Sequence, residues 1–88
     1  MNRKTKPLKN ESPAKGMGWT ARAKALLRAE LVRRDVSFED LSLRLEMMGV
    51  DESKGAIAQK IRRGTFSAVF LLQALTAIGC KRLEIDPD

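Results

Sequence analysis

The sequence predicts an all-α fold: one compact domain of four short helices, with a flexible basic N-terminal arm and a candidate short C-terminal strand. Three observations carry this. Apolar residues recur at three- and four-residue spacing along four separate segments, which is the period of a helix. Ser37 and Ser67 stand where N-caps belong, and Gly49, Gly64 and Gly79 stand where helices end. The length of 88 residues, with 43% apolar and 32% charged side chains, suits a single globular unit.

Residues 1–18, with Pro7, Pro13, Gly16 and Gly18 and almost no large apolar side chain, read as the arm. In the first helix, expected at about 20–34, Trp19, Ala23, Leu26, Leu27 and Leu31 form the inward stripe. Thr20 is its candidate cap and Trp19 its core anchor. The second helix starts at Ser37, with Asp40 three residues on and Val36 and Leu41 at the staple positions. Phe38, Leu41, Leu45 and Met48 form its stripe, and Met47 and Met48 read as gap-filling core.

The third helix lies between Asp51–Ser53 and Gly64, with Ile57 and Ile61 one turn apart and Ala58 beside them. In the fourth, Ser67 is the cap and Phe66 and Leu71 the staple pair. Phe70, Leu71, Ala74, Leu75 and Ile78 make it the most apolar of the four, hence the central one. Lys81–Asp86 alternates in polarity, so residues 81–88 read as a tail or short strand, and this segment is a candidate for self-pairing.

Composition removes several functions. With no histidine and a single cysteine, neither a disulfide within the chain nor a Cys/His metal cluster is expected. Ser–His and Cys–His nucleophilic chemistry lack their base. Cys80 reads as a small, partly buried apolar residue. There is no glycine-rich phosphate loop, and few aromatics are present for base stacking. The expectation is a protein that is not an enzyme and needs no cofactor or small-molecule substrate. No apolar run is long enough to span a membrane, and no secretory signal is visible, so a cytoplasmic location is expected.

The net charge of +6 is uneven. Residues 1–16 hold Arg3, Lys4, Lys6, Lys9 and Lys15 against Glu11 alone, whereas residues 17–88 are nearly balanced. Such an arm is either a solubilising tail or a segment that adds phosphate contacts on nucleic acid.

The third helix is the most informative stretch. With Ile57 and Ile61 facing inward, the opposite side collects Glu52, Gly55, Gln59, Arg62 and Arg63, with Ala56 and Lys60 at its edges. A glutamine amide can bond adenine in a bidentate manner from the major groove, and Lys60, Arg62 and Arg63 suit phosphate or guanine. Gly55 and Ala56 leave room for a nucleic-acid backbone or a thymine methyl. Basic residues near a helix C-terminus are also what the macrodipole favours in any helix, so a merely solvated face stays open on this composition alone.

The order of elements resembles the helix-turn-helix of λ-repressor-like (Xre/Cro-type) domains. SFEDLSLRLEMMGV resembles the first motif helix, AIAQKIRRG the recognition helix, and TFSAVFLLQALTAIG the helix that follows. Ala58 and Ile61 match the recognition helix's inward apolar pair, Gln59 and Lys60 fall among its outward positions, and Gly64 matches its terminal glycine. The pattern departs at Glu46, Met47 and Met48, which intervene before the expected glycine, and the turn from Gly49 to Ala56 is longer. KIRRGTFSAVFLLQALTAIG is also similar to a small family of uncharacterised bacterial proteins.

The resemblance implies a helix-turn-helix domain over residues 19–80 that binds double-stranded DNA as a small bacterial or phage transcriptional regulator. Its third helix would enter the major groove, the protein would act as a homodimer, and the arm would lie on phosphates. The DNA-contacting set is then Gly55, Ala56, Gln59, Lys60, Arg62 and Arg63, with Arg3, Lys4, Lys6 and Lys9 from the arm. The alternative is a protein-interaction module, such as an antitoxin, adaptor or inhibitor, built on the same helices.

Overall fold

The computed structural model describes residues 13–85 and contains four α-helices: α1 (Pro13–Arg33), α2 (Phe38–Met47), α3 (Lys54–Arg63) and α4 (Ala68–Ala77). Each of the last three opens on a serine in extended conformation whose hydroxyl accepts from the amide three residues on. The pairs are Ser37 with Asp40 at 3.0 Å, Ser53 with Ala56 at 3.1 Å, and Ser67 with Phe70 at 3.0 Å. Each such cap contributes about 1 kcal/mol by satisfying an amide that the helix itself cannot. At the other ends, the Val50 amide returns to the Leu45 carbonyl and the Cys80 amide to the Leu75 carbonyl, both at 2.9 Å. These bonds close α2 and α4 just beyond Gly49 and Gly79.

α1 packs on α3 and α4, and α2 packs on the same pair. Leu27, Leu41, Leu45, Ile57 and Ile61 are fully buried where they meet, and Leu31, Val36, Phe70, Ala74, Leu75 and Ile78 complete the core. Burying one such side chain is worth roughly 1.5–3 kcal/mol, so the two isoleucines alone fix the rotation of α3 about its axis. Cys80 is half-buried against this core, as its apolar character suggests.

Four expectations need correction. Helical backbone already runs from Pro13, with a break at Gly18 (φ 62°), and Thr20 lies inside α1 rather than capping it. Trp19 is 72% exposed rather than a core anchor: it stands directly after the break at Gly18, ahead of the buried stretch that begins at Leu27 among the described residues, and the Arg22 guanidinium lies 4.4 Å over its ring. Met47 (87% exposed) and Met48 fill no gap: Met47 falls on the outward side of α2 with exposed Leu43, away from buried Leu41 and Leu45, and Met48 is the cap residue at which α2 ends. Lys81–Ile85 forms no strand, and no strand occurs among the described residues. An alternating segment needs a partner strand for its backbone, and here Leu83 packs on the helices instead.

One buried charge was not foreseen. Glu30 is 7% exposed and accepts from both Arg33 and Arg34, which follow it by three and four residues. The hydrogen bond from Arg33, reinforced by Arg34, holds its carboxyl below the ordinary carboxylate value despite opposing desolvation. The Cys80 thiol approaches the same carboxylate at 3.7 Å, tying the end of α4 to α1. No helix among the described residues is long and apolar enough to cross a membrane.

Candidate nucleic-acid interface

α3 is short, capped at both ends and held on one side. Ile57 and Ile61, fully buried, set its inner face. Gly55, Gln59, Arg62 and Arg63 are exposed on the opposite face, and Ala56 and Lys60 are half-buried at its borders. The arrangement therefore separates an apolar side from a polar side within ten residues.

The C-terminal end of α3 is gripped by α1. Gly64 takes up the left-handed conformation (φ 72°) that ends the helix, and a Cβ built there would lie 2.7 Å from the Thr20 carbonyl oxygen. Lys24, one turn along α1, donates from Nζ to the Arg62 carbonyl at 2.9 Å. A cation at that end is favoured by the helix dipole, and this one brings the ammonium of a second element beside Arg62 and Arg63. Sequence spacing could not have revealed Lys24, because the contact joins residues 38 apart.

The edge at Lys60 is partly neutralised. Lys60 was expected outward on phosphates, but Glu52, in the turn before α3, holds its ammonium at 2.5 Å. The same ammonium sits 4.8 Å above the Phe70 ring. Glu52 is fixed in turn by its own carbonyl, which accepts from the Ser42 hydroxyl at 2.5 Å. The long turn between α2 and α3 thus supplies a carboxylate that neutralises one cation of the face, which is why Lys60 is not free to reach outward.

Beyond this ion pair the surface is open. A Cβ added to Gly55 would meet nothing within 4 Å, so the glycine is not required by packing within the chain. Ala56, Gln59, Lys60, Arg63, Thr65, Phe66 and Ser67 surround a groove of about 480 Å³ between α3 and the start of α4. Its chemistry is hydrogen bonding from the Gln59 amide and the Thr65 and Ser67 hydroxyls, with charge from the Arg63 guanidinium. Gly55, Ala56, Gln59, Arg62 and Arg63 therefore share one accessible face, Lys60 borders it in a paired state, and Arg3, Lys4, Lys6 and Lys9 lie outside the described residues.

Neither a curated protein nor a solved structure matches this chain. Residues 19–83, from the exposed tryptophan to the tail leucine that packs on the core, match one protein family in a single stretch. The chain belongs to the family described as Domain of unknown function (DUF6471).

Proposed function

We propose that this chain binds double-stranded DNA as a small cytoplasmic transcriptional regulator, with α3 in the major groove. One observation carries the reading: Gln59, Arg62 and Arg63 are exposed together on a helix whose reverse side is locked into the core. Gln59 reads a base edge, while Arg62, Arg63 and Lys24 meet phosphates. The open space at Gly55 lets a nucleic-acid backbone approach closely. A single ten-residue helix reads few base pairs, so two copies on a palindromic site are expected.

Duplex binding measured by fluorescence anisotropy across a salt series tests this. The log–log slope should be steep, about −0.9 per phosphate contacted, and shallower after Arg62→Ala with Arg63→Ala. Binding unchanged by that double substitution sinks the surface.

A second reading has its own support: Leu43 and Met47, 56% and 87% exposed and one turn apart on α2, form an apolar strip suited to a protein partner. An antitoxin, adaptor or inhibitor would use that strip. It predicts loss of partner binding on Met47→Glu, with no salt-dependent affinity for duplex.

A further inference from the structure

The Glu52–Lys60 pair sets a negative charge beside the polar side of α3, and its two members are held unequally. The Glu52 side chain is 16% exposed and that of Lys60 40%, so the carboxylate is drawn in while the ammonium still reaches water. The Phe70 ring, 4.8 Å from Nζ, gives that ammonium a second favourable contact on the protein. The turn does not need the carboxylate to stay in place, because it is the Glu52 carbonyl that accepts from the Ser42 hydroxyl of α2. The other polar side chains of α3 are in a different state. Gln59, Arg62 and Arg63 use theirs in no hydrogen bond or ion pair among the described residues.

We propose that Glu52 is a specificity-determining residue: by holding Lys60 it weakens binding to non-target duplex more than binding to target duplex. This rests on the reading of α3 as a DNA-binding helix.

Non-specific affinity comes almost wholly from cations on phosphates. A helix that makes no base contact slides along the duplex and settles wherever its cations reach phosphates. In that mode every cation that can swing outward adds affinity. The pair withholds one such cation and sets a carboxylate near the phosphates instead.

On a target site the balance differs. Base contacts from Gln59 fix the register of α3, and phosphate contacts follow from that register rather than choosing it. Lys60 lies at the border of the face, half-buried, with its ammonium over Phe70, so a helix seated by Gln59 gains less from releasing it. Arg62 and Arg63, unpaired among the described residues, supply attraction in both modes. The pair thus discriminates by an unfavourable element placed against the wrong partner.

The test compares the natural full chain with Glu52→Gln on two probes. One is a short duplex that the natural chain recovers from a random-sequence pool; the other is a scrambled duplex of the same length and composition. Fluorescence anisotropy across a salt series gives both affinities. For Glu52→Gln, affinity for the scrambled duplex should rise roughly tenfold at low salt, and its log–log slope should steepen by up to about 0.9. The selected duplex should gain no more than about threefold, so the ratio of the two affinities falls by roughly threefold or more. Lys60→Met in the Glu52→Gln background should restore the natural ratio, and Lys60→Met alone should not lower it. Circular dichroism checks that each variant keeps the natural helix content. A ratio unchanged by Glu52→Gln overturns this proposal and leaves the DNA reading standing, as does a lowered ratio that Lys60→Met does not restore. A natural chain with no salt-dependent affinity for any duplex of the pool overturns both.

Discussion

Gly64 and Thr20 approach so closely that no side chain fits between them. A Cβ at Gly64 would stand 2.7 Å from the Thr20 carbonyl oxygen and 2.8 Å from its Cγ2. Gly64 also has φ 72°, a conformation that other residues adopt only at a cost. The glycine therefore does two things at once: it ends α3, and it lets α1 lie against that end. Lys24, one turn on, completes the junction through the Arg62 carbonyl.

Gly64→Ala should accordingly destabilise by roughly 2–4 kcal/mol, the sum of backbone strain and a clash with main-chain atoms that cannot rotate away. Gly49→Ala and Gly79→Ala, with similar positive φ but nothing within 4 Å, should lose only about 1 kcal/mol each. Urea unfolding of the three variants makes the comparison. Equal losses would show that the contact with Thr20 yields without strain.

The helices themselves were legible because their signals are local. Capping serines, terminal glycines and the Ile57/Ile61 spacing all act within one or two turns, and the structure places them as their chemistry requires. What escaped depends on position in space. Trp19 has the period of a core residue, but it stands at the very start of the run after Gly18, where its ring meets Arg22 rather than the core. Glu52 looked like one more outward residue of α3, yet it lies before the helix and reaches forward to Lys60. Alternation in Lys81–Asp86 signals a strand only where another strand can receive it. The burial of Glu30 was equally hidden, since a glutamate on a helix is ordinarily solvated.

Glu30 gives a prediction about acid stability. Its carboxyl titrates below the ordinary 4.5 in the folded chain because Arg33 and Arg34 stabilise the charged form. A depressed folded value means the contribution is present in full above the unfolded value and is lost as pH falls through the folded one. The stability difference between the natural chain and Glu30→Gln should thus be constant from neutral pH down to about 4.5 and shrink below it. Urea midpoints of both proteins from pH 7 to pH 3 read this out. A difference that does not change with pH would mean that packing, not charge, keeps Glu30 in place.

Gly55 separates stability from function. It sits in the first turn of α3, exposed, with open space around it, so alanine meets no obstacle and removes the entropic cost of glycine in a helix. Gly55→Ala should raise stability by about 0.5–1 kcal/mol. If a nucleic-acid backbone approaches there, the same substitution should weaken duplex binding several-fold. A more stable protein with undiminished affinity would leave the glycine unexplained by the DNA reading.

The Glu52–Lys60 pair allows a gain rather than a loss. Glu52 adds negative charge beside a face proposed to meet phosphates, and it holds an ammonium that could otherwise reach one. Its carbonyl, the atom bonded to Ser42, is untouched by a change to glutamine. Glu52→Gln should therefore strengthen duplex binding severalfold at low salt and steepen the salt dependence by up to about 0.9, the share of one extra phosphate contact. Lys60→Met on the same background should return both quantities to those of the natural chain. Should Glu52→Gln bind DNA more weakly, the ion pair is instead a brace that sets α3 against its turn, and Lys60 acts through position rather than charge.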